Sequence, residues 1–254
     1  MNTFIRNAIC AGAIVAGPAT SAFCADLTLT SKVMQADGKT STALMYISKD
    51  HVLLQHGDGK ESLVDGATGV ITSIDTNRKT YYVTTREDME KFRAVMQQQM
   101  NNPETKKRQA EMEKHSGFSV EVHKTGTSRK IAGYGCDDWT LTVGRMSTTE
   151  ECLTSELPMP KEIWDMYSKY SESMRSAMAS MGSSNAKLEA QMKNMKGYPL
   201  STRTTMEIMG HKTVVGSEVT NVSHASIPSS AFQIPAGYTK VENPMLKSLA
   251  RMKS

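Results

Sequence analysis

The chain has 254 residues, a hydrophobic fraction of 39% and a formal charge of +4, enough apolar material for one large domain core and too little for a membrane protein of many helical spans. With Arg6 removed, 29 basic residues face 26 acidic ones. That mild excess argues against a nucleic-acid partner, and the densest basic run, Lys106-Lys107-Arg108, sits among Glu104, Glu111 and Glu113 as a solvated helix face would.

The N-terminus carries Arg6, then the apolar run Ala8–Ala16, too short to span a bilayer, then Pro18 and small residues to Ala22. This is the pattern of a secretory signal peptide over residues 1–24, with cleavage between 22 and 25. Phe23 before Cys24 disfavours a lipid anchor, because lipidation needs a small residue there. The expected product is periplasmic or secreted, with no membrane span left after the signal is removed and one domain over residues 25–254.

From Leu27 to Thr85 short alternating runs are separated by turn dipeptides: Leu27/Leu29/Val33, Asp37-Gly38, Ala43/Met45/Ile47, Val52/Leu54, Asp58-Gly59, Val70/Ile74 and Tyr81/Val83. This predicts an antiparallel meander of neighbouring hairpins. At Thr85-Arg86-Glu87-Asp88 a capping box opens a helix with Met89, Phe92, Met96 and Met100 on one face. Asn102-Pro103 divides the helical segment 86–115.

Strand signals return in Phe118/Val120/Val122 and again in Lys130–Ala132. Beyond these lie Cys136 and Cys152. Cys10 leaves with the signal and Cys24 stands at its end, so these two are the secure pair in an oxidising compartment. A three-residue loop around Gly144, with Thr142 opposite Met146, would place Cys136 directly opposite Cys152 and predicts a structural disulfide in a hairpin. A metal pair would need two further ligands, and a redox pair usually takes the form Cys-x-x-Cys.

Pro160 suits the first turn of an amphipathic helix carrying Ile163, Met166, Tyr167, Tyr170, Met174, Met178 and Met181, the first part of a helical segment over 160–196. Two strands follow, Ser201–Met209 and Thr213–Ser223, and then Phe232–Tyr238 as strand and turn. A last short helix is expected over Asn243–Lys253.

The stretches IAGYGCDDW (131–139), KGYPLSTRTTMEI (196–208) and IPSSAFQIPAGYTKV (227–241) resemble the exported bacterial family known as domain of unknown function 4412. The chain is also similar at fold level to periplasmic lipoprotein carriers of the LolA/LolB kind, in which helices plug a curved sheet. The resemblance implies an α+β domain: one curved, half-barrel-like antiparallel meander with helices packed on one face. It supplies no catalytic residue.

Neither Gly-x-Ser-x-Gly nor His-Glu-x-x-His occurs, no phosphate-binding glycine loop is visible, and the six histidines are scattered. No enzyme, cofactor or metal is expected. The 19 methionines coincide with the apolar stripes. Met178/Met181 and Met192/Met195 have the spacing of paired thioethers that would suit Cu(I), but methionine is also the usual filler of irregular apolar space. The leading expectation is a non-enzymatic protein binding a lipid, acyl chain or apolar protein segment, with Met166, Tyr170, Met174, Met178 and Met181 lining the site. The alternatives are a structural or protein-interaction module of the envelope and methionine-based copper binding.

Overall fold

The structure, a computed structural model, describes residues 26–107, 111, 120–169, 171, 194–208 and 210–252. The expected signal peptide over residues 1–24 falls outside these residues, as do Tyr170, Met174, Met178, Met181 and Met192. Among the described residues the strands form one open, curved sheet of 12 strands.

The first six are β1 (Leu27–Met34), β2 (Thr40–Ile47), β3 (His51–Gln55), β4 (Lys60–Asp65), β5 (Ile71–Asp75) and β6 (Thr80–Thr84), each antiparallel to the next as expected. The turn chemistry is that of the sequence: Gly59 lies at φ 82°, where a Cβ would also land 2.4 Å from the Asn77 side chain. Asp58 and Asp75 each accept a backbone N–H from the turn they start.

Helix α1 (Arg86–Asn101) opens with the expected capping box. Thr85 N–H donates to Asp88 Oδ2 at 2.9 Å, and Asp88 N–H returns a bond to Thr85 Oγ1 at 3.1 Å. A bend at Asn102 follows, whose Oδ1 accepts the Glu104 N–H at 2.9 Å and starts a helical turn over 103–107.

The second meander runs through β7 (Val120–Ile131), β8 (Tyr134–Val143), β9 (Ser147–Thr154), β10 (Tyr198–Ile208) and β11 (His211–Ser223). Two expectations need correction here. Residues 120–131 form one strand, not two, because a bulge between Lys124 and Ser128 absorbs the Thr125-Gly126-Thr127 interruption without leaving β8. The β8–β9 loop closes one residue later than expected, with Val143 opposite Ser147, so Cys152 faces Asp138 and not Cys136.

The disulfide nevertheless forms between Cys136 and Cys152, with their Cα atoms 5.3 Å apart. The slide moves the pairing along the strand by an even step, which keeps both thiols on one face as diagonal neighbours.

The two meanders meet at β1 and β11, which pair antiparallel. The strand order is therefore β6-β5-β4-β3-β2-β1-β11-β10-β9-β8-β7, with the short β12 (Thr239–Lys240) parallel to the outer edge of β6. At the far edge, β7 is exposed over most of its length and carries His123, Lys124, Arg129 and Lys130. Charge and a bulge are how edge strands avoid pairing with other chains.

A helix α2 over residues 161–169 and a C-terminal helix α3 (Pro244–Met252) complete the described elements, with a 3-10 turn at Ser229–Phe232. The two main helices do not share one support. Ile163 and Met166 of α2 pack into the largest buried cluster, whereas the helix in contact with α1 is α3.

Candidate functional site: the apolar face of the sheet

Strand register decides which side chains share a face. Following directly opposed pairs, Leu27 and Leu29 of β1 lie with Met45 and Ile47 of β2, Val52 of β3, Val64 of β4, and Val219 and Val222 of β11. On β8 and β7 one face presents Trp139, Leu141 and Val143 with Val120 and Val122, and the other presents Cys136 with Ile131. The register break between Pro199 and Ser201 shifts the alternation by one residue, and it is Ile131, Cys136 and Cys152 that join the cluster of Leu27 and Leu29.

Two buried clusters lie against the sheet. The first centres on Leu27, Leu29 and Ile47 and is covered by Ile163 of α2, 3% exposed. The second joins Val120, Val122 and Leu153 to Met195, 1% exposed, with Trp139, Leu141 and Val143 half-buried around it. Further along β8–β10 the face that carries the cysteines turns polar: Arg203 faces Glu150, which faces Thr140, which faces His123.

The first cluster has a methionine and aromatic margin. Pro160 precedes α2, and its carbonyl accepts the Trp164 N–H at 2.9 Å. Spacing of three residues then sets Trp164 beside Tyr167, rings 6.2 Å apart, and Tyr167 lies 5.3 Å from the Tyr198 ring on β10. Ile163 and Met166, also three apart, point to the cluster. Met45, Met159 and Met166 pack against it together with Tyr198.

Tyr198 donates its hydroxyl hydrogen to Met45 Sδ at 3.6 Å. Burial, with a smaller contribution from Tyr167, pushes its phenol well above the ordinary tyrosine range, so it stays neutral at any physiological pH. Sulfur is a weak acceptor. The site therefore offers polarizable surface, ring faces and one weakly engaged hydroxyl, which suits apolar chains and not charge.

Of the lining residues expected from the sequence, Met166 lies in this margin, and Tyr170, Met174, Met178 and Met181 fall outside the described residues. Met45 and Tyr198 were not expected as site residues. The alternation Ala43/Met45/Ile47 already put Met45 on a core face, but nothing local joins it to Tyr198, 153 positions away. Of the expected thioether pairs, Met195 is packed among valines and leucines. Among the described residues no group of three His, Cys, Asp or Glu side chains converges as metal ligands would, and no helix is long and apolar enough to cross a membrane.

An open, curved antiparallel sheet with apolar clusters packed against it, partly overlaid by short helices, defines the class. The chain belongs to the family described as "Domain of unknown function (DUF4412)", which it matches over residues 28–238. No curated protein matches it. Among solved structures it is similar to PNGF-II at 12% identity, covering 88% of this chain and 32% of that one with a TM-score of 0.40. It is also similar to the MucA/MucB complex of Pseudomonas aeruginosa at 11% identity, covering 83% and 56% with a TM-score of 0.38. A LolA superfamily protein, NE2245 from Nitrosomonas europaea, is similar at 7% identity, covering 82% and 89% with a TM-score of 0.24. The chain spans about a third of the first of these and about half of the second.

Proposed function

We propose that this is an exported, non-enzymatic protein whose apolar sheet face binds a hydrophobic ligand, either a lipid acyl chain or an apolar protein segment. The observation that carries the reading is the margin of Met45, Met159, Met166, Trp164, Tyr167 and Tyr198 beside a fully buried cluster. Trp164, Tyr167 and Met166 are only half-buried, and a face of thioethers and rings can repack around differently shaped apolar guests. The hydroxyl of Tyr198 gives such a guest one polar group to meet.

Binding of an apolar fluorescent probe, 1-N-phenylnaphthylamine, to the purified chain and to Met166→Ala tests this. The expected result is saturable binding by the parent that weakens in the variant by a larger factor than folding stability falls. If the face is a closed core, the parent binds no probe and the substitution costs about 2–5 kcal/mol of stability. That pair of results would leave a structural or interaction module as the better reading.

A further inference from the structure

The C-terminal segment returns from β11 to the opposite edge of the sheet. Ile227 N–H is tied to Asp26 Oδ2 at 2.7 Å, and Phe232 lies with its ring 5.5 Å from His51 of β3. His51 shares its face with Leu53, whose register neighbours lead to Ile74 of β5, and both Leu53 and Ile74 are buried. This is the face opposite to the methionine margin.

At the edge of β6 the segment meets three alternate carbonyls in turn. Thr239 N–H donates to Lys79 O at 2.9 Å, Val241 N–H to Tyr81 O at 2.8 Å, and Asn243 Nδ2 to Val83 O at 3.1 Å. Residues 239–242 are exposed, whereas Asn243 is 5% exposed. The grip on β6 therefore concentrates at one side chain.

That side chain is engaged on both sides. Its Nδ2 also donates to Thr84 Oγ1 at 2.9 Å, while its Oδ1 accepts the Met245 N–H at 2.9 Å and so caps α3. Thr84 is followed at once by Thr85, the cap of α1, and α3 packs against α1 with Leu249 buried.

We propose that Asn243 is a latch: it closes the β6 edge and, by fixing the start of α3, holds α1, so that strap and α1 are released together. Removal of its two donor bonds opens a sheet edge with three free carbonyls and frees the first helix of the segment joining β6 to β7. This device is independent of what the apolar face binds.

Amide hydrogen exchange by mass spectrometry on the full chain tests it with two substitutions. Asn243→Asp keeps an acceptor for the Met245 N–H but sets a carboxylate against Val83 O in place of a donor. Exchange should rise roughly tenfold or more in peptides covering both 239–243 and 86–101, with β8 and β9 unchanged. Faster exchange in the strap with α1 unchanged, or no change in either, overturns the latch. Leu249→Ala leaves Asn243 in place and should speed exchange in α1 more than in 239–243; an α1 that does not respond shows that α3 is not what holds it, and the proposal fails.

Discussion

The two meanders solve the same problem by different means. The first, β1–β6, has short strands joined by turns whose Asp side chains bond the backbone, and it is covered on both faces: α2 over Leu29, Ile47 and Val52, and the C-terminal strap on the side of His51 and Leu53. The second, β7–β11, has longer strands and a covalent bridge, with Cys136 and Cys152 in the cluster under α2 while Val120, Val122 and Leu153 pack around Met195. Short strands between closely spaced turns are held by packing and turn chemistry; long strands joined by few turns gain from a crosslink that restricts the unfolded chain.

The largest effect expected from breaking this comparison is in the second meander. Replacing Cys136 and Cys152 by Ala should lower stability by about 3 kcal/mol, read from urea unfolding. The residues closed by the bridge number 16 apart in sequence, and both side chains are buried, at 4% and 0% exposed, so the cavity left adds to the chain-entropy loss. A fall under about 1 kcal/mol would mean that the long strands hold the hairpin without the bridge and would erase the contrast.

A smaller effect belongs to the junction after the first meander. Thr85→Ala removes the acceptor of the Asp88 N–H, and a lost N-cap typically costs about 1 kcal/mol. Thermal unfolding followed by circular dichroism checks it. Thr85→Ser, which keeps the hydroxyl, should restore most of the loss, and a Ser variant as weak as the Ala variant would show that the methyl group's packing matters more than the cap.

Much of this was legible in the chain. Alternation and Asp-Gly turns placed β1 to β6, the Thr85–Asp88 box placed the start of α1, and the two cysteines fixed the bridge, since each of these signals is local. The pairing of β1 with β11 left no mark in either strand, because contact between remote strands depends on what else the sheet has already assembled. The hairpin register slipped because Gly144 takes the first place of the loop rather than the middle, with the Met146 N–H bonded back to Val143 O. The motif Phe232–Tyr238 reads in the sequence as strand and turn, but it holds the end of a 3-10 turn and a turn at 236–237, and the strand is Thr239–Lys240, whose partner β6 lies about 160 residues earlier and pairs parallel over two residues. For the proposed site, the helix spacing put Met166 on the apolar stripe, while Tyr198 came within reach of Met45 only through the folded sheet.

The smallest effect, and the one that best separates the two meanders, is their response to acid. Four carboxyls in and just after the first meander are held below their ordinary value of 3.8. The causes are the Lys39 ammonium for Asp37, backbone N–H bonds from Thr68 for Asp65, the Lys60 ammonium for Asp75, and the Thr85 N–H for Asp88. Among the described residues the second meander has one, Asp137, held down by Lys124 and Ser128. A carboxyl with a depressed folded value contributes stability above its unfolded pKa and loses that contribution as pH falls through the folded one. Lowering the pH from 6 toward 3 should therefore weaken β1–β6 first, while the bridge keeps β8 and β9 together. Residue-resolved hydrogen exchange at the two pH values, corrected for intrinsic rates, reads this directly. Protection in Thr40–Ile47 and Lys60–Asp65 should fall before protection in Tyr134–Val143. Asp75→Asn, which removes the carboxylate partner of Lys60 and the titration with it, should shrink the acid response of β4 and β5. A second meander that loses protection first would show that charge, and not the staple, sets the order in which the sheet opens.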